Sequence, residues 1–234
     1  MDVLIERFHL FFDGFLLTLQ VCVVAGVLAL AFGIVAAVCR ISPIPPLRWL
    51  GTAYVTVFRN VPLTVVLFFT VFGLPIIGNR AEFLKIHGLD RLFPRLTIDL
   101  PYFRLVCLGL AIYTGAFVCE ALRSGVNAVA SGQSEAARAL GLTFIQNLRY
   151  VVLPQAWKAA IVPLGTVLVA MAKNSALAGF FGLVGDLSAT MQTLVSQEGE
   201  PLIPVMIGIS FWYLLMTIPA SLVLDTVERR RKLA

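Results

Sequence analysis

Residues 134–154 read SEAARALGLTFIQNLRYVVLP, the longest polar-rich interval between the apolar runs of the C-terminal half. The pattern predicts two short helices around a glycine. Glu135 falls in the first turn of a segment of strong helix formers, where an anion suits the helix dipole. Gly141 is placed to stop that helix as a C′ residue. Thr143 followed by Gln146 is a capping-box pattern, so a second helix restarts at once. Pro154 marks the next boundary, because the residue before a proline is pushed out of the helical region. The result is a compact helix–turn–helix with small alanine faces, carried on a loop between membrane spans. Small side chains permit close docking of a partner; an ordinary structured loop is the other reading.

The chain around this turn is a membrane protein by composition. Of its 234 residues, 59% are hydrophobic and only 13% charged, and the mean hydropathy is +0.91. A net charge of +5 therefore does not imply nucleic acid, and its placement along the chain matters more. Cys22, Cys39, Cys107 and Cys119 lie in or beside apolar runs with no C-x-x-C pair, so they read as packing residues rather than a metal site or disulfide framework. His9 and His87 stand alone. Asp2, Glu6 and Asp13 against Arg7 oppose a basic leader, and the first apolar run is too long for one, so that run is expected to remain as a span.

A bilayer core needs about 20 apolar residues per helix. Five segments meet this, at about 15–39, 52–74, 103–122, 157–183 and 202–224. The chain is thus read as one all-α membrane domain over residues 1–234, with five transmembrane helices. RISPIPPLRW, residues 40–49, carries three prolines and is expected to be a short, stiff, non-helical link. Residues 73–101 form a mixed-charge loop, and residues 186–204 an acidic one with Glu198 and Glu200. Gly26 and Gly33 are seven apart, a spacing that makes only a weak case for helix pairing. No repeat appears at solenoid periods.

Five spans put the termini on opposite sides. Arg229–Lys232 supplies four basic residues in a row. With that tail inside, Arg40, Arg48, Arg123, Arg138, Arg149 and Lys158 also fall inside, while the acidic N-terminus and the 186–200 segment fall outside. The expected topology is N-out, C-in, with residues 123–156 in the cytoplasm.

Glu135-Ala136-Ala137, then Gly141, Val151 and Leu153-Pro154, resemble the EAA motif of binding-protein-dependent ABC importer permeases, with Val151 in the Ile-like slot. Phe58-Arg59-Asn60-Val61-Pro62, Gly115-Ala116-Phe117, Glu120, Arg123-Ser124-Gly125, Gly132-Gln133, Pro154-Gln155-Ala156 and Lys173-Asn174-Ser175 sharpen the resemblance to the polar amino-acid permeases. The likeness spans roughly residues 50–180. It implies a type I ABC importer permease-like fold with a cytoplasmic EAA coupling-helix loop that docks on an ATPase subunit. It also implies an ABC ATPase dimer that binds the ATP, a second permease subunit, like or unlike, and an extracytoplasmic amino-acid-binding protein. The location implied is the bacterial inner membrane. No cofactor is expected in this chain and no nucleic-acid partner.

A charge at the bilayer centre costs roughly 2.5–3.5 kcal/mol on insertion scales. Arg59, Glu120 and Lys173 are therefore functional candidates. Arg59 is either a snorkelling side chain or a pore cation able to fork onto a carboxylate. Glu120 and Arg123 are spaced for an intrahelical ion pair. Lys173 is expected well inside the fourth span, facing either a cavity or the outer side. In the resembling permeases the segment Lys173-Asn174-Ser175 lines the substrate path, and many carriers of basic or neutral amino acids have Asp where Asn174 stands. An amide can donate to a side-chain carboxylate that an Asp would repel. Arg59, Lys173, Asn174 and Ser175 are thus the expected substrate set, and the pattern is closest to glutamate/aspartate permeases. Asn174 and Ser175 could instead bond across helices for packing. A secondary transporter or channel, or another polar amino acid such as glutamine, is the alternative. No G-x-x-x-x-G-K-[ST], G-x-S-x-G or metal-binding His-Glu pattern is present, so catalysis is not expected in this chain.

Overall fold

In the computed structural model, which describes residues 2–77 and 101–232, every regular element is helical. A short helix α1 (Asp2–Glu6) leads at Arg7 into α2 (Phe8–Ile41), whose 34 residues exceed the bilayer core at 1.5 Å per residue. The chain breaks only at Ser42–Ile44, and α3 (Pro45–Asn60) begins directly on two prolines. The expected non-helical link is therefore shorter than its proline content suggested. Proline at the first helical positions lacks only an N–H that would be orphaned there anyway.

The second span is not one rod. α3 and α4 (Leu63–Ile77) meet at 107°, because Val61, held extended before Pro62 at φ −88° and ψ 134°, cannot continue the helix. α5 (Pro101–Asn127) follows, then α6 (Ser131–Ala139), α7 (Phe144–Leu177), α8 (Leu187–Gln192) and α9 (Leu202–Lys232). Among the described residues, α2, α5, α7 and α9 are long and apolar enough to cross a membrane, and the bent α3–α4 pair passes the same test only with its two halves taken together, which brings the candidate spans to four or five. Of the mixed-charge loop expected at residues 73–101, residues 78–100 lie outside the described ones, while residues 73–77 and Pro101 are helical.

Two Leu-Pro steps are passed without a break. Before Leu74-Pro75 and before Leu153-Pro154 the helix widens into a π turn, at Phe69–Gly73 and Leu148–Val152. The N–H groups of Leu74 and Leu153 reach back five residues, to Phe69 and Leu148. Widening gives room for the proline ring and removes the expected boundary at Pro154; Leu153 is helical, at φ −60° and ψ −42°.

The core is built on α2 against α5. A Cβ on Gly33 would lie 2.9 Å from the Gly115 carbonyl, so the two backbones approach where both residues are glycine. Val21, Leu67, Val106, Leu110 and Met171 join α2, α4, α5 and α7 in one apolar cluster. A second cluster of Phe11, Leu187, Leu194, Val205 and Trp212 seats α8 and α9 on the start of α2.

The expected acidic loop after the fourth span is an ordered cap. Asp186 is fully buried as the N-cap of α8, accepting from the Ala189 amide at 2.7 Å and from the Ser188 hydroxyl at 2.8 Å. The Leu187 amide donates to Thr18 on α2 at 3.2 Å. Glu198 and Glu200 face Arg7 at 2.7 and 3.7 Å. The N-terminus and this cap thus share one end of the bundle.

Candidate functional site

The turn at the other end follows the predicted pattern, with its first helix displaced. α6 starts at Ser131, one turn earlier than expected, so exposed Glu135 lies in its second turn rather than its first. Gly141 sits at φ +84°, with open space around it. Backbone conformation, not crowding, calls for glycine there. Both bonds of the capping box form: the Thr143 amide donates to Gln146 Oε1 at 2.9 Å, and the Gln146 amide to Thr143 Oγ1 at 3.4 Å. Buried Asn147 then donates its side-chain amide to the carbonyl and hydroxyl of Ser134. That staple ties the start of α7 to α6.

The face this rigid turn presents was not legible in the alanine pattern. Ala137 is buried against its own chain; Ala136 is exposed. What projects is Leu140, Phe144 and Ile145, exposed by 82%, 61% and 73%. Tyr150 is exposed as well, with Arg149 5.7 Å over its ring. Large apolar side chains exposed on so rigid a support suit an interaction surface. Its sequence signal was the capping box itself, which fixes Phe144 and Ile145 in the first turn of α7. Leu153 and Pro154 are exposed further along α7.

Of the candidate polar residues, Arg59, Glu120 and Arg123 share one cluster, and Lys173-Asn174-Ser175 form a separate strip. Glu120 of α5 is the hub of the cluster. Its Oε1 receives Arg40 of α2 and, at 3.5 Å, Arg59 of α3, while Oε2 faces Arg123 at 3.7 Å. The expected Glu120–Arg123 contact exists, yet it is the longest of the three. Arg40, eighty residues away in sequence, makes the tight one. Arg59 also lies 6.0 Å from the Phe117 ring centre, and Tyr54 fixes α3 by donating to the Ile112 carbonyl at 2.7 Å. Arg59, Asn60 and Pro62 are exposed at the α3–α4 break.

Lys173-Asn174-Ser175 is not deep in a continuous helix. Asn174 ends the regular part of α7, and tight turns at Ser175–Leu177 and Gly179–Phe181 follow. Ser175 is fully buried, donating to the Ala172 carbonyl at 2.8 Å and receiving Cys22 Sγ at 3.5 Å. Lys173 is exposed and lines a cavity of about 270 Å³ with Thr166, Ser221, Asp225 and Glu228. Arg59 packs on α5 while Ser175 packs on α2, so the two parts of the expected substrate set touch different elements. No group of three or more His, Cys, Asp or Glu able to hold a metal occurs among the described residues.

Comparison with known proteins fixes the class. The chain belongs to the binding-protein-dependent transport system inner membrane component family, whose profile matches residues 29–233. It is 37% identical over 230 residues to the probable glutamine ABC transporter permease protein GlnM of Bacillus subtilis, covering 98% of this chain and 96% of that one. It is 38% identical over 217 residues to the glutamate transport system permease protein GluC of Corynebacterium glutamicum, covering 93% and 92%. Among solved structures, an amino acid ABC transporter with histidines superposes with a TM-score of 0.81 at 30% identity, covering 97% and 96%. The methionine ABC transporter MetNI in an inward-facing form, at 19% identity and a TM-score of 0.64 over 95% and 98%, shares the fold.

Proposed function

We infer that this chain is the permease subunit of an ATP-driven, binding-protein-dependent importer of polar amino acids, with glutamate as the favoured cargo. The observation that carries the reading is the stapled turn of α6 and α7, whose exposed Leu140, Phe144 and Ile145 suit a grip by a separate motor. ATP is bound and hydrolysed by a partner ATPase dimer. The turn lies in the cytoplasm, with the N-terminus outside and the C-terminus inside. A binding protein delivers substrate at the Arg7–Glu198 end. ATP binding favours the outward-open state through the turn, since a ligand shifts an equilibrium only by its differential affinity for the two states.

Five spans do not enclose a pore, and the α3–α4 break opens on the surface of the single chain. A second permease subunit closes that face, bringing Arg59 and the Lys173-Asn174-Ser175 strip toward a shared path. Two cations and an amide favour a carboxylate-bearing side chain, and one of the relatives is named for glutamate. Glutamine is the second reading, supported by a relative of nearly equal identity named for it.

The test is uptake by the complex reconstituted in proteoliposomes with its ATPase and binding protein. ATP-dependent glutamate accumulation exceeding that of glutamine is the expected result. Glutamine uptake without glutamate uptake selects the second reading, and accumulation that persists without ATP overturns the class.

A further inference from the structure

We propose that the cavity between the turn-side ends of α2, α3, α5 and α7 binds an anionic phospholipid from the adjacent leaflet. The cavity measures about 480 Å³, within the range of ligand sites. Its composition is split in two. Arg40, Arg48 and Arg123 supply guanidinium groups, while Ile34, Val38 and Trp157 form an apolar body.

Charge decides the occupant. Among the described residues, Glu120 is the one carboxylate in contact with Arg40 and Arg123, and it is shared with Arg59. One negative charge therefore faces three positive ones. The Arg48 guanidinium adds a fourth and has no hydrogen bond or ion pair among the described residues. Guanidinium forks suit phosphate oxygens, so the excess calls for a phosphate-bearing anion. A small soluble anion would leave the apolar body unfilled. A phospholipid satisfies both parts, placing its phosphate among the arginines and the first part of an acyl chain along Val38 and Ile34. Trp157, 57% exposed, stands at the rim as interfacial tryptophans do. Basic pockets between spans on the positively charged side of a membrane protein take such headgroups.

The site is independent of which amino acid is carried, and its test reads lipid rather than transport. The intact complex, with its ATPase and partner permease, is placed in phosphatidylcholine nanodiscs doped with phosphatidylglycerol. Lipid retained after delipidation is then counted by native mass spectrometry. Arg48→Gln should weaken phosphatidylglycerol retention about fivefold, the contribution of one basic side chain near an anionic surface. Val38→Trp, which fills the body without changing charge, should lower it as well, whereas Lys158→Gln, outside the cavity, should not. Phosphatidylcholine should not replace the retained lipid, nor should millimolar glycerol phosphate compete. Unchanged retention in Arg48→Gln overturns the proposal, as does equal retention of phosphatidylcholine. Competition by glycerol phosphate reassigns the cavity to free anions. A disulfide from Ile41→Cys to the partner permease would show a subunit interface there instead, and also overturns it.

Discussion

Arg59 of α3 approaches Glu120 of α5 at 3.5 Å, on the carboxylate oxygen that Arg40 of α2 already binds. One acid thus fastens three helices and holds the cation beside the break in the second span. Glu120→Gln leaves three guanidiniums without their anion in a partly buried place. The cost is expected at about 1–3 kcal/mol, below that of a fully buried pair because the side chains remain 16–51% exposed. Thermal unfolding of the complex in nanodiscs checks this. Arg40→Gln should lower the midpoint more than Arg123→Gln; the reverse order would contradict the geometry.

The stapled turn gives a prediction that separates fold from coupling. Gly141→Ala forces a Cβ into φ +84° at about 1–2 kcal/mol, and Thr143→Ala removes a cap worth about 0.5–2 kcal/mol. Both should loosen the turn while the subunit still reaches the membrane. Phe144→Ser leaves the turn intact and removes part of its exposed apolar face. It should reduce co-purification of the ATPase and substrate-stimulated ATP hydrolysis by about tenfold, a loss of ~1.4 kcal/mol. Undiminished co-purification with Phe144→Ser would remove the docking role from this face.

How far the sequence could be read depended on the range of the interaction. Gly141 and the Thr143–Gln146 box are local, so three or four residues specify them, and they stand where the pattern put them. Proline is local too, but its effect is conditional. Pro62 breaks the second span, Pro45 starts a helix, and Pro75 and Pro154 are absorbed by π turns. Only packing decides among those outcomes. The Arg40–Glu120 contact joins residues eighty apart, and nothing periodic announces it. Asp186 looked like part of an acidic surface because charge counts treat every carboxylate as solvated. Its burial follows from a tertiary cap on α2.

That cap carries a pH dependence. Burial pushes the Asp186 carboxyl up to about 6, against the opposing bonds from Ala189 and Ser188. The folded state therefore holds this proton more tightly than the unfolded chain does, and the associated stability is fully present below about pH 4. It is lost as pH rises toward 6, by roughly 2–3 kcal/mol. Asp186→Asn keeps an acceptor for the Ala189 amide but cannot titrate. Unfolding midpoints measured from pH 4 to 6.5 should fall for the native protein relative to this variant. Parallel profiles would show that Asp186 is charged throughout.

Cargo preference is expected to reside in the charge of the Lys173-Asn174 step. Lys173 lines a cavity whose other ionisable residues are Asp225 and Glu228 of α9, so it already stands opposite carboxylates in the isolated chain. Asn174→Asp places a fixed anion one residue from Lys173, which opposes an acidic cargo and leaves a neutral one nearly unaffected. Glutamate uptake by the reconstituted complex should drop about tenfold, the effect of ~1.4 kcal/mol, with glutamine uptake changed far less. Since Asn174 ends the regular part of α7 and is only partly buried, the exchange should leave the unfolding midpoint near its native value. An equal loss for both amino acids, with stability intact, would mean that the step acts on the gating motion and that specificity is set elsewhere.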